Sequence, residues 1–272
     1  MRFMYFNQKS VQSAMKIDAP DQLLCGYTSA MMAFLLANPA PEHILMIGLG
    51  GGSLAKFCYR HLPDSRITVI EIDADVIALR DQFMIPADDD RLSIIHADAM
   101  VYLEQNTLQT DIIMLDGFDL EGLVEKLNTK NFYDNCYAAL KPEGILVSNM
   151  WGKRPLLVSL LTTLRGKFGQ RVWWCRSLDS YNLIVFSFKA KANVFTASMS
   201  DRAQVLDQQL PLQLAQLSEQ MHTLQLPIPT TAIGIDDYEV KEVIRLTSAV
   251  AEMMITDDTL PSSDVEWSAL HQ

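Results

Sequence analysis

From His43 onward the chain alternates short apolar runs with helix-like segments. "ILMIG" is a continuous apolar run, "GSLAKFCYRHL" reads as a helix stopped at Pro63-Asp64, and "ITVIEI" is a second apolar run. "DADVIALRDQF" follows as a helix with Asp73 in position to cap it. "RLSIIHAD" and "TDIIMLDGF" supply two more strands with the helix "AMVYLEQN" between them, and "LNTKNFYDNCYAALK" leads as a helix into "GILVSNMW". Strands apolar throughout their length, joined by helices long enough to cross over, predict a parallel sheet covered on both faces. The helix "RPLLVSLLTTLRGKF" comes next, then "RVWWCRSL" and "YNLIVFSFKAK" with only "DS" between them. That gap is too short for a parallel crossover, so the last two strands are expected as an antiparallel hairpin. Trp173 and Trp174 then point to opposite faces, chiefly as core anchors.

The flanks read differently. Residues 1–17 alternate loosely around "NQKS" and suggest a short β-hairpin, and "YTSAMMAFLLANP" from Tyr27 reads as an apolar-faced helix ended by Asn38-Pro39. From Ser198 the composition turns Gln/Leu-rich and helical; "IPTTAIG" reads as a linker and "DDYEVKEVIRLTSAVAEMMI" as an amphipathic helix. The division expected is a hairpin and lead-in over 1–26, an α/β domain over 27–197 and a helical appendage over 198–272 that could serve in dimer contacts or pack on its own sheet.

Composition narrows the class. The chain has 272 residues, 49% hydrophobic and 20% charged, within the range of globular proteins. No uncharged apolar run is long enough to span a bilayer, and "MRFMYFNQKS" loses its apolar character too early for a signal peptide. Cys25, Cys58, Cys136 and Cys175 form no C-x-x-C pair, so reduced thiols and a cytoplasmic location are expected. The formal charge of −11 disfavours nucleic acid as a partner and suits a cationic small substrate.

The chemistry concentrates at strand ends. Gly48, Gly50 and Gly52 lie where the first parallel strand turns into its helix, a place where a Cβ would keep a nucleotide from the backbone. Ser53 stands where the dinucleotide fingerprint wants its third glycine, so G-x-G-x-G fits an adenosyl-sulfonium site better than NAD. Glu71 closes the second strand, where a carboxylate can take both ribose hydroxyls, with Ile72 beside it; the other reading is a solvated acid. Asp98 can accept from the adenine amine while the Ala99 amide meets a ring nitrogen, or it can cap the following helix. Asp116 ends the fourth strand, aimed into the ligand crevice with Asp119 three residues on; Asp119 can orient an amine or cap the next segment. A desolvated carboxylate there can take an ammonium proton and free the lone pair for attack. The five histidines show no metal-ligand spacing, and no metal is expected.

The order of "ILMIGLGGG", "VIEIDADVI", "RLSIIHADAMVYLE" and "IIMLDGFDLEG…LNTKNFY" resembles the spermidine synthase family, the polyamine aminopropyltransferases. The resemblance covers residues 27–150 and implies a Rossmann-like class I S-adenosylmethionine-dependent methyltransferase fold: a seven-stranded, mostly parallel sheet ending in an antiparallel hairpin. It further implies aminopropyl transfer from decarboxylated S-adenosylmethionine to a small amine, in a homodimer. By it Glu71 holds ribose, Asp98 and Ala99 hold adenine, Asp116 is the base, Asp119 helps bind the amine, and Tyr27 belongs to the family's Tyr-x-Glu. Four departures stand out. The loop's acid (G-G-G-D-G-G) is Gly51, the Glu of Tyr-x-Glu is Ser29, D-S-S-D-P is Asp116-Gly117-Phe118-Asp119-Leu120, and Pro-Thr-Tyr-Pro is "SLDSYN". A methyltransferase using intact S-adenosylmethionine and a non-catalytic nucleoside-binding homologue remain open as alternatives.

Overall fold

A computed structural model describes residues 1–5, 11–105, 109–119, 122–123, 127–151, 154–180, 182–190 and 199–224. A hairpin of β1 (Arg2–Tyr5) and β2 (Val11–Met15) leads to α1 (Gly26–Met31) and a 3-10 helix at Met32–Leu36. The alternating core follows: β3 (His43–Ile47), α2 (Ser53–His61), β4 (Arg66–Glu71), α3 (Ala74–Ala78), β5 (Leu92–His96), α4 (Ala99–Gln105) and β6 (Thr110–Leu115). A two-residue pair, β7 (Phe118–Asp119) and β8 (Gly122–Leu123), precedes α5 (Lys130–Ala139) and β9 (Leu140–Met150). Then come α6 (Arg154–Phe168), β10 (Val172–Arg176), β11 (Leu183–Phe188), α7 (Met199–Gln209), α8 (Leu214–Glu219) and β12 (His222–Thr223).

The sheet order is β12-β10-β11-β9-β6-β3-β4-β5. β5, β4, β3, β6 and β9 run parallel, and β11 runs antiparallel to both β9 and β10. The alternation of side chains explains why the strands are apolar throughout. Ile44, Met46, Ile112 and Met114 pack on one face with α2 and the 3-10 helix, while Leu45, Ile47, Ile113 and Leu115 pack on the other with α5 and α6. Trp173 joins the first face and Trp174 the second, where it stacks on His222 with ring centroids 4.7 Å apart.

The structure revises several expectations. The sheet has eight strands rather than seven, because His222 and Thr223 pair with Trp174 and Trp173 along the open edge of β10. The helix expected from Tyr27 changes to 3-10 geometry after Met31. α3 stops at Ala78, and the chain then turns through Met84 at φ 51°. α7 and α8 bury Ala203, Leu206, Leu214 and Leu217 in the same core as the 3-10 helix. The segments "IPTTAIG" and "DDYEVKEVIRLTSAVAEMMI" lie outside the described residues. Among the described residues no helix is long and apolar enough to cross a membrane.

Candidate active site

The carboxyl ends of the parallel strands open onto a cavity of about 970 Å³, the place where open α/β sheets bind ligands. Gly48, Gly50, Glu71, Ile72, Asp98, Ala99, Asp116 and Tyr27 all line it. Gly52 does not; it caps α2 in the left-handed conformation, where a Cβ would meet Ile85 at 2.6 Å. The backbone of Asp119 lies in β7, and its side chain lies outside the described residues.

The glycine loop is shaped by close approaches. Gly48 has φ 99°, and a Cβ there would stand 2.3 Å from the Asp116 carbonyl oxygen. Both facts require glycine, and together they seat the loop directly against the end of β6. Gly50 has φ 50° and open space before it, so its backbone faces the cavity. Gly51 is enclosed instead: a Cβ would meet Ser13 Oγ at 2.5 Å and Phe83 Cδ1 at 2.8 Å. The N-terminal hairpin thus fills the space that an acidic side chain at this position would need, and Gln12 and Ser13 line the cavity beside it.

The acids on this side are fixed by backbone donors. Glu71, only 8% exposed, accepts from Leu49 N at 2.8 Å through one oxygen and from Asp73 N at 2.9 Å through the other. A carboxylate has about four acceptor positions, so hydroxyl donors can still be accommodated. Asp98 accepts from Met100 N at 2.8 Å and so caps α4, while still lining the cavity with Ala99. Asp73 caps α3 by accepting from Asp75 N. Ile72, 60% exposed, lies along the same wall. The carboxylates of Glu71, Asp73, Asp75 and Asp98 around one cavity make it attractive to a cation.

Asp116 lines the same cavity. One oxygen accepts from Asn149 Nδ2 at 2.8 Å, and the other accepts from the Tyr27 hydroxyl at 3.4 Å. Burial pushes the Asp116 carboxyl above the usual carboxylate range, opposed by these two hydrogen bonds. Burial, then the Asp116 charge, holds the Tyr27 phenol well above its ordinary range, so it stays protonated as a donor. Tyr27 is positioned from a distance: Asp179, in the loop between β10 and β11, accepts from Gly26 N at 2.7 Å and from the Ser177 hydroxyl at 2.7 Å. A Cβ on Gly26 would meet that carboxylate at 2.3 Å, so the start of α1 is seated against the loop.

The sequence reading missed Asn149, Asn182, Gln12 and Ser13. Asn149 could have been found, because it lies near the carboxyl end of the fifth parallel strand, where ligand contacts gather. The other three reach the cavity only through tertiary placement.

Residues 24–194 match the family described as "Spermine/spermidine synthase domain". The chain belongs to the spermidine synthase family. The polyamine aminopropyltransferase of Chromobacterium violaceum is 37% identical over 190 residues, covering 70% of this chain and 73% of that protein. Human methyltransferase-like protein 13 in complex with SAH has a TM-score of 0.62 at 23% identity, covering 79% of this chain and 99% of that one. A spermidine synthase in complex with the transition state analogue AdoDATO has a TM-score of 0.58 at 20% identity, covering 79% and 75%. At those identities the two solved structures show a common fold. The family match includes Tyr27, the glycine loop, Glu71, Asp98 and Asp116, so most of the cavity lies within the matched part of the chain, while the hairpin residues Gln12 and Ser13 line it from outside that part.

Proposed function

We propose that this spermidine synthase family member transfers the aminopropyl group of decarboxylated S-adenosylmethionine to a small amine, with Asp116 as the base. The observation that supports this most is the Asp116 carboxylate, desolvated and held by Asn149 and Tyr27, in the same cavity as the glycine loop. Its raised proton affinity suits it to take a proton from the substrate ammonium. The freed nitrogen lone pair attacks the propyl carbon bonded to sulfur; the C–N bond forms as the C–S pair returns to sulfur, leaving a neutral thioether. Sulfonium is a good leaving group, so alignment supplies much of the acceleration. Glu71, already oriented by two backbone donors, suits a ribose diol, and Asp98 with Ala99 suits an adenine edge.

The reacting unit in this reading is 27–197, with 1–26 walling the cavity and 198–272 as the helical appendage of a cytoplasmic homodimer. Asp119 and Gly52 keep supporting roles, the first toward the amine and the second in starting α2. Calorimetry with the two donors tests the choice of substrate. Decarboxylated S-adenosylmethionine is expected to bind at least tenfold tighter than the carboxylated form, because the cavity's acids repel a donor carboxylate. Tighter binding of intact S-adenosylmethionine would favour methyl transfer instead.

A further inference from the structure

The Asp116 carboxylate terminates a line of hydrogen bonds that crosses three strand ends. Ser180 Oγ donates to Asn182 Oδ1 at 2.8 Å, Asn182 Nδ2 donates to Asn149 Oδ1 at 2.8 Å, and Asn149 Nδ2 donates to Asp116 Oδ1 at 2.8 Å. The loop that holds Ser180 and Asn182 is closed by Ser177 N donating to Asn182 O at 3.0 Å. The direction of the line is fixed from its far end. An ionised carboxylate can only accept, so Asn149 must turn its NH₂ to Asp116, which leaves its carbonyl for the NH₂ of Asn182, whose carbonyl in turn takes the Ser180 hydroxyl. Asn149 is only 3% exposed, at the wall of the cavity. Aligned donors reinforce one another in a desolvated site.

We propose that Asn182 is a positioning residue for the reaction, acting through Asn149 to hold the Asp116 carboxylate charged and with its second oxygen turned toward Tyr27 and the incoming amine. The Asn149 N–H is held more strongly by the charged carboxylate than by the neutral acid, so the line opposes protonation as desolvation favours it. Among the described residues, the titratable groups that interact around Asp116 are the Tyr27 phenol on α1, the Cys25 thiol just before α1 and the Asp179 carboxylate in the β10–β11 loop. Cys25, pushed up to about 11 by burial and then by Asp179 and Asp116, is neutral across the relevant range, as is Tyr27. Among the described residues Asp179 is the other carboxylate that acts on Cys25 and Tyr27, and it is tied to Gly26 and Ser177.

The proposal takes Asp116 as the base from the function proposed above, but its hydrogen-bond geometry does not depend on that role. The test therefore reads the resting protein as well as turnover. Aspartate carboxyl carbons are labelled with ¹³C in the full chain, and the Asp116 signal is assigned by its loss in Asp116→Asn. Asn182→Ala is expected to raise the Asp116 midpoint by about half a pH unit, and Asn149→Ala by about one unit. Asn182→Ala made on top of Asn149→Ala is expected to add nothing, because the line is already cut. The acidic limb of the kcat/KM profile should move by the same amounts. Ser180→Ala, in the surface loop, should give a smaller shift in the same direction and keeps the test open if Asn149→Ala does not fold. An unmoved Asp116 midpoint in both Asn182→Ala and Ser180→Ala overturns the proposal, as does an Asn182→Ala shift that persists undiminished without Asn149. Absence of aminopropyl transfer with these titrations intact would count against the proposed reaction and leave the positioning line standing.

Discussion

The two sides of the cavity are built by different means. On the glycine-loop side, function is prepared by backbone: three glycines at positive φ, and carboxylates whose oxygens are tied to main-chain N–H groups a few residues away or across one strand. On the Asp116 side it is prepared by side chains from distant parts of the chain, since Tyr27 lies 89 residues away and Asn149 lies 33 away. The first arrangement depends on local conformation, and its sensitive positions are the glycines. The second depends on several elements arriving together, and single substitutions should reach into it.

The strongest contrast is expected from Asp116→Asn. Aminopropyl transfer should fall about a thousandfold, the usual scale for loss of a positioned base, while donor affinity measured by calorimetry changes by no more than about twofold. The unliganded variant should also melt at a higher temperature. The sign follows from the raised carboxyl: the folded state favours the neutral form, so the wild type loses stability as pH rises from the ordinary carboxylate range through the folded value, and Asn removes that loss. A tenfold loss of donor affinity would show that the two sides are not separable.

Gly51→Asp should act on the other side and less strongly. Supplying the acid found in the family's loop is expected to cost about 1–3 kcal/mol of stability in denaturant unfolding, because the Cβ meets Ser13 and Phe83. Ser13→Gly in the same chain should return part of that loss. A fully stable Gly51→Asp would mean that the hairpin does not close this corner.

The smallest effect on turnover is expected at Lys56, which lies behind the loop. It is 3% exposed, donates to Phe83 O at 2.7 Å, and burial lowers its ammonium to about 8. Between that value and the ordinary 10.5 the unfolded chain holds a proton that the folded chain lacks, so stability should rise with pH across this window. The slope should reach up to about 1.4 kcal/mol per pH unit. Lys56→Met should flatten the rise in thermal unfolding while changing kcat little.

The same division explains what could be read in the sequence. The parallel core, the terminal hairpin and the strand-end acids were legible because each depends on local pattern: apolar runs such as "ILMIG", a two-residue gap, a carboxylate where a strand stops. Asp98 shows that two readings can hold together, since it caps α4 and still lines the cavity. The eighth strand was hidden because His222 and Thr223 become a strand only by pairing along β10. From the sequence Gly51 stood out only as a departure from the family's loop acid; in the structure its size is dictated by Ser13 and Phe83, neighbours that no spacing rule brings to it. Asn182 was likewise invisible, because its role exists only through Asn149.

The most direct measurement is the mass of the amine product formed by the purified full chain from decarboxylated and intact S-adenosylmethionine, each supplied with the same panel of small mono- and diamines. Aminopropyl transfer requires an amine heavier by one aminopropyl unit, formed from the decarboxylated donor in step with its thioether and lost in Asp116→Asn. An amine heavier by a methyl group, formed only from the intact donor, would contradict it.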